Sequence, residues 1–236
     1  MKRLGLLGGM SWESSVVYER HLNKTVRERL GGVASADLII RSFNFADIEA
    51  LQAQGDWDSA GRLLGEAASD LESAGAQAIV LCTNTMHQVA SDIESHISIP
   101  LLHIVTATGE AIARAGVKKV ALLGTRYTME RPFYKDALSE QFHLEAVTPD
   151  QAGRDDIHRI IYDELVQGIV NPESKEGVLA IISELEREHG LEGVIAGCTD
   201  IELLILRSDL ALPYFPTTEI HARYAAHWAL SGEEGR

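Results

Sequence analysis

Apolar positions along the chain follow two alternating periods. Short, nearly continuous apolar runs fall at residues 2–8, 37–42, 77–82, 101–104, 118–124, 144–148, 193–197 and 213–216. Such runs suit strands buried on both faces. Between them lie longer segments of helical period, such as 11–30 and 58–73. In the second of these, Leu63, Leu64, Ala67, Leu71 and Ala74 recur on one face. Ser11 stands at an N-cap position, with Glu13 and Glu19 behind it. This alternation predicts an α/β fold of parallel, Rossmann-like or flavodoxin-like sheets joined by crossover helices.

The pattern also repeats itself. LGLLGGMS (4–11) resembles VALLGTRYT (120–128), and AIVLCTNT (78–85) resembles GVIAGCTDI (193–201). IPLLHIVTAT (99–108) resembles LPYFPTTEI (212–220), with offsets of about 116, 116 and 113 residues for the three pairs. Two similar halves with pseudo-twofold symmetry are expected, 1–98 and 99–216, with the final helix, 217–230, returning to the first half to give a domain of 1–98 plus 217–236. All six repeated segments sit at the carboxyl ends of strands, where open parallel sheets bind ligands. The expectation is a single site enclosed by the two halves.

Composition narrows the possibilities. The 236 residues are 45% hydrophobic and 24% charged, enough for an ordinary core. A formal charge of -14 argues against nucleic acid or an anionic membrane as partner. No apolar run approaches the roughly 20 residues that span a bilayer. MKRLGLLGG reads as a first strand and not a signal peptide, so a cytoplasmic location is expected. Only two cysteines occur, Cys82 and Cys198, both at strand–helix junctions, which favours reactive thiols over a disulfide.

VIAGCTD (194–200) places Cys198 at a strand end, just before an expected helix. There unpaired N–H groups and the helix dipole would favour thiolate, while Thr199 and Asp200 could cap the helix or hold a substrate group. A buried structural cysteine is the alternative. LCTNTMH (81–87) is the matching junction, where two alignments compete. Matching by residue type pairs Cys82 with Cys198 and gives both the same spacing of 74 residues, from Gly8 and from Gly124. Shifting by one pairs Thr83 with Cys198. Neighbouring side chains of an extended strand point to opposite faces, so only one of Cys82 and Thr83 can face a site, and the repeat slightly favours Cys82. GLLGGMS (5–11) is a glycine turn whose N–H groups could cradle a carboxylate. It is neither a full GxGxxG nor a P-loop. No residue set suggests a metal cage.

GLLGGMSWES, NFADIEALQ, LCTNTMH, LLGTRYTME, GCTDIELL and TTEIHA together resemble the aspartate/glutamate racemase family over nearly the whole chain. In that family a Cys-Asn-Thr-x-His motif and a Gly-Cys-Thr-Glu motif supply a pair of thiols on opposite sides of the substrate. The first fits here through Asn84-Thr85-Met86-His87, which puts Thr83 in the place of the thiol. A subset resembling broad-specificity or L-aspartate/glutamate-type racemases carries Thr there. The resemblance implies catalysis by Thr83 and Cys198. It also implies substrate contacts from Met10, Gln52, Thr83, Asn84, Thr85 and Thr199, support from Asp200, no cofactor and a homodimer. Departures are Asp200 for the usual Glu, Pro216 for a common Asp, no Arg in 45–52 and no Lys in 161–168, which weakens aspartate-only specificity. Arg126 is a possible substitute.

Racemisation takes the α-proton from one face of carbon and returns one to the other, so two positioned groups are needed. Without an electron sink, fixed donors around the carboxylate must stabilise the carbanion. Two competing readings are a single-cysteine decarboxylase of malonate-type acids in the same superfamily, and a non-catalytic amino-acid-binding protein.

Overall fold

The computed structural model describes residues 1–231, and the chain in it divides into two compact units. The first is Met1–Ile104 joined by the end of the chain from His221; the second is Val105–Ile220. The division falls just inside two helices, α5 (Ile104–Arg114) and α11 (Thr217–Leu230).

The first unit carries β1 (Leu4–Gly8), β2 (Leu38–Ser42), β3 (Ala78–Leu81) and β4 (Leu101–Leu102), all parallel, in the order β2-β1-β3-β4. Its helices are α1 (Trp12–Leu30), α2 (Phe45–Gln54), α3 (Trp57–Ser73) and α4 (Ala90–Glu94), with a 3₁₀ turn at Thr85–Val89. The second unit carries β5 (Lys119–Gly124), β6 (Glu145–Val147), β7 (Gly193–Gly197) and β8 (Tyr214–Pro216), again parallel, in the order β6-β5-β7-β8. Its helices are α6 (Arg126–Glu130), α7 (Pro132–Phe142), α8 (Gln151–Asp163), α9 (Pro172–His189) and α10 (Ile201–Leu204). All eight expected strands are present, and the α/β class follows from two four-stranded parallel sheets of one topology.

The inner strands β1, β3, β5 and β7 are buried along nearly their whole length, which is why they read as apolar runs, whereas the edge strands β2 and β6 are half-buried or exposed. On one side of the first sheet Ile79 and Leu81 pack with Ile48 of α2 and with Leu64 and Leu71 of α3. On the other, Ala78, Val80 and Cys82 meet Tyr18 and Leu22 of α1 and the alanine face of α11. In the second unit Ala121, Leu123, Val194 and Ala196 pack with Ile157 and Ile161 of α8 and with Val178 and Ile182 of α9. Each fully buried Leu or Ile here stabilises the fold by roughly 1.5–3 kcal/mol.

Two helix expectations need correction. The buried face of α3 is Ala60, Gly61, Leu64, Gly65, Ala67, Ala68 and Leu71. Ala74 is its exposed C-cap and Leu63 is half-buried, while Gly61 and Gly65 leave room for the Asp92 and His96 side chains to close on the helix. Ser11 does hold the N-cap position of α1, but its side chain makes no capping bond. Instead its carbonyl accepts from the Ser14 and Ser15 hydroxyls at 3.1 and 2.9 Å. No helix among the described residues is long and apolar enough to cross a membrane.

Candidate active site

The order within each sheet reverses at its first strand, so the switch points lie between β1 and β3 and between β5 and β7. Loops leaving the carboxyl ends of such neighbouring strands form the usual ligand crevice of parallel sheets. The residues leaving β1 and β3 are Gly9-Met10-Ser11 and Cys82-Thr83-Asn84; those leaving β5 and β7 are Thr125-Arg126 and Cys198-Thr199-Asp200.

Sheet register decides which of these positions correspond. Leu7 lies beside Leu81, and the Cys82 N–H continues that ladder to the Leu7 carbonyl at 2.9 Å. In the second sheet Leu123 lies beside Ala196, and Gly124 beside Gly197. One step on from Leu7 and Leu81 brings Cys82 level with Gly197, so Thr83, and not Cys82, is level with Cys198. The equal spacing from Gly8 and Gly124 misleads, because the repeat shifts by one residue between its strands.

The pleat argument for choosing between Cys82 and Thr83 also needs correction. β3 stops at Leu81, and the Thr83 N–H bonds the Leu81 carbonyl at 2.9 Å, a tight turn about Cys82. Cys82 is set apart by packing. Its thiol lies among Tyr18, Leu22 and Leu102, it donates to the Val80 carbonyl at 3.6 Å, and burial pushes its pKa far up. Gly197 holds the equivalent place in the second sheet, where a Cβ would come within 2.8 Å of Leu122 and 2.9 Å of the Leu123 carbonyl.

At the first unit's strand ends, Thr83, Asn84 and Thr85 are all buried. Met10 belongs to the core beside Ile48 and Met86, and Gln52 on α2 donates to the Met86 sulfur at 2.9 Å. The glycine turn is less open to an anion than its sequence suggests, since the Gly9 N–H already donates to Ser15 Oγ at 2.8 Å. Gly9 has φ 83°, and a Cβ there would collide with the Phe43 backbone, so no other residue fits the turn. His87 donates from Nδ1 to the Thr83 carbonyl at 2.7 Å and accepts the Ile104 N–H at Nε2, 3.1 Å away. Carbonyls only accept and N–H groups only donate, so both bonds require the neutral Nδ1–H tautomer. Burial, then the neighbouring His103 and His221, hold His87 well below the usual histidine range.

At the second unit's strand end, Cys198, Thr199 and Asp200 are buried. Cys198 Sγ donates to Asp200 Oδ2 at 3.7 Å, and Thr199 Oγ1 reaches the same oxygen at 3.4 Å. The surroundings of Cys198 run against the thiolate expected at a helix start. Burial first, then the Asp200 charge, push the Cys198 thiol well up, while the Asp200 and Ile201 N–H groups pull the other way. The helix that follows, α10, begins only at Ile201 and is four residues long, too short for a strong dipole. Arg126 is exposed and paired with Asp155 at 2.8 Å. Among the described residues no group of three or more His, Cys, Asp or Glu side chains is placed to hold a metal.

The profile of Asp/Glu/hydantoin racemases matches residues 7–225. The chain belongs to that family. It is 50% identical to a Yersinia pestis crystal structure provisionally named an Asp/Glu racemase, with a TM-score of 0.90 over 98% of this chain and 100% of that one. An aspartate racemase homologue from Pyrococcus horikoshii is 36% identical, with a TM-score of 0.84 over 97% and 99% of the two chains. The broad specificity amino-acid racemase RacX of Bacillus subtilis is 25% identical over 174 residues, 71% of each chain.

The motif reading passed over three residues that the structure brings to these strand ends: His87 as a hydrogen-bonding group, Glu202 and Thr218. Glu202 Oε1 accepts the Thr218 N–H at 2.7 Å, and Thr218 Oγ1 is buried beside it. GCTDIE and TTE carry these residues, but nothing in either string shows that they meet.

Proposed function

We propose that this protein interconverts L- and D-amino acids by moving a proton at Cα, with Cys198 and Thr83 as the two proton-transferring residues. The observation that carries this reading is the register equivalence of Thr83 and Cys198 at the switch points of two sheets of one topology. Family membership supports a racemase.

The proposed sequence uses this chain's own groups and solvent water. The Cys198 proton passes to Asp200, whose Oδ2 accepts from the thiol at 3.7 Å. The thiolate then takes the α-proton from one face of the substrate, and the Thr83 hydroxyl returns a proton to the other. Solvent water reprotonates Thr83 while Asp200 gives its proton back to solvent, so both ends are reset. Asn84, Thr85 and Thr199 donate to the carboxylate as charge builds on it, and Met10 and Gln52 shape the amino-acid pocket. A hydroxyl is a far weaker acid and base than a thiol, so the two transfers are unequal.

Chiral chromatography after incubation with enantiopure acidic, hydroxylated and aliphatic amino acids tests the reading. It predicts that at least one L-amino acid yields its D-enantiomer. Carbon dioxide release from arylmalonates without racemisation would assign a decarboxylase instead. Calorimetric binding of an amino acid with no turnover in any arm would assign a binding protein.

A further inference from the structure

The fourth residue after each candidate catalytic position does the same structural job in both units. Thr83 lies beyond the last ladder pair of β3, so no strand partner is available to its carbonyl. The first N–H groups of a helix likewise have no intrahelical acceptor, and Ile104 opens α5. One imidazole satisfies both: His87 Nδ1–H on the Thr83 carbonyl at 2.7 Å and His87 Nε2 on the Ile104 N–H at 3.1 Å. In the second unit Glu202, four residues past Cys198, accepts the Thr218 N–H at 2.7 Å, in the first turn of α11. Here the Cys198 carbonyl needs no side chain, because the Ile201 N–H reaches it at 3.2 Å.

The residue types differ, histidine against glutamate, yet each joins the switch-point loop of its unit to the helix after the next strand. We infer that His87 and Glu202 are a matched pair of positioning residues, His87 holding Thr83 and Glu202 holding the Cys198 loop in reacting geometry. This rests on the racemase reading above. Neither side chain touches the reacting atoms in this account. Each acts through the backbone, so each governs the proton transfer of its own unit.

The test follows an L-amino acid found to be a substrate, in D₂O, recording deuterium in recovered L-substrate and D-product formation together. Exchange into L needs only the Cys198 step, whereas D-product needs the Thr83 step as well. His87→Leu is expected to lower D-product formation about tenfold or more while leaving L-exchange within about twofold. His87→Asn, which keeps a donor near the Nδ1 position, should recover part of that loss. Glu202→Leu is expected to lower both rates together, and Glu202→Gln, which keeps the acceptor for Thr218, should recover them.

His221 controls for a merely structural effect. It is a second buried, neutral histidine of the same cluster, bonded to Leu102 and Tyr18 instead of Thr83. His221→Asn should lower the melting temperature and leave the ratio of exchange to product unchanged. A His87→Leu enzyme that loses both rates equally, or that keeps the parent ratio, would overturn the inference while leaving the racemase reading intact. A parent enzyme that exchanges no α-proton of any amino acid would overturn the racemase reading itself.

Discussion

The ends of β3 and β7 occupy the same place in two sheets of one topology, yet their chemistry is opposite. At the end of β3 the chain turns about a core cysteine, and Thr83 is held through its carbonyl by a neutral histidine. Three histidines lie together there: His87 and His103 have ring centroids 4.4 Å apart, and His87 and His221 are 5.8 Å apart. At the end of β7 a thiol sits against Asp200, with Glu202 two residues on. Burial pushes the Glu202 carboxyl up to about 8, with the Glu219 and Asp200 charges adding to the rise. One topology therefore carries an uncharged hydroxyl end and an acid-rich thiol end. The lesson is that a repeated backbone topology need not repeat the acid–base character of its strand ends.

The harshest way to break the comparison is to remove each end in turn. Cys198→Ala should take racemisation and α-proton exchange below detection, because the thiolate is the group given to the α-proton on that side and Asp200 acts only by taking the thiol's proton. Thr83→Ala should lower kcat about 10²-fold, within the range for loss of a positioned acid. Cys82→Ala should change kcat less than about twofold and lower unfolding stability by about 1 kcal/mol, as for an ordinary core truncation. Steady-state kinetics by chiral analysis and urea melts check all three. Full activity in Thr83→Ala with loss in Cys82→Ala would mean that register does not identify the working residue.

That assignment shows where sequence reading stops. The inner strands were legible because burial on both faces leaves continuous apolar runs, the exposed edge strands β2 and β6 because short apolar runs recur between helical segments, and the offset of about 116 residues exposed the repeat. The one-residue shift inside the repeat was not legible from the repeat alone. Cys-Thr-Asn against Cys-Thr-Asp is the better match by residue type; the Asn-Thr-x-His resemblance pointed to Thr83 instead, and the ladder from Leu7 to Leu81 gives that shift a geometric basis. The glycine turn likewise looked open until Ser15, six residues on, proved to occupy the Gly9 N–H. A thiol before a helix suggested thiolate, but burial and a carboxylate two residues away outweigh a helix four residues long. The likeness of His87 and Glu202 is hidden because a neutral imidazole and a carboxyl share an acceptor role and little else.

A subtler test exploits the acid-rich end. Asp200 raises the Cys198 thiol by its charge and by its hydrogen bond, so Asp200→Asn should let the thiol ionise at lower pH. In a Cys82→Ala background, iodoacetamide labelling near pH 8 should become several-fold faster while turnover falls several-fold, since the proton acceptor is gone. Labelling and turnover that move in the same direction would contradict the role given to Asp200.

The smallest expected effects are on stability, and they run in opposite directions in the two units. Burial lowers His103 to about 4 and His221 to about 3. Below about pH 6.5 the unfolded chain binds protons that folded histidines refuse, so the first unit loses stability as pH falls, by at most about 1.4 kcal/mol per pH unit for each histidine. Glu202 is raised, so its contribution is present below the unfolded glutamate range and is lost as pH rises toward about 8. All three tryptophans, Trp12, Trp57 and Trp228, belong to the first unit, so their fluorescence reports that unit. The urea midpoint by fluorescence should fall between pH 7 and pH 5. Glu202→Gln should flatten the alkaline side of the melt followed by circular dichroism.

The unequal pair is tested most directly by α-proton exchange in D₂O with the parent enzyme, started separately from each enantiomer of one substrate. The carbanion should be reprotonated more readily by Cys198 than by Thr83, whichever side it came from. Starting from L, deuterium should build up in recovered L-substrate well before D-product appears. Starting from D, almost every exchanged molecule should emerge as L, with little deuterium in recovered D-substrate. Equal exchange into both recovered substrates, or more into D than into L, would contradict the account.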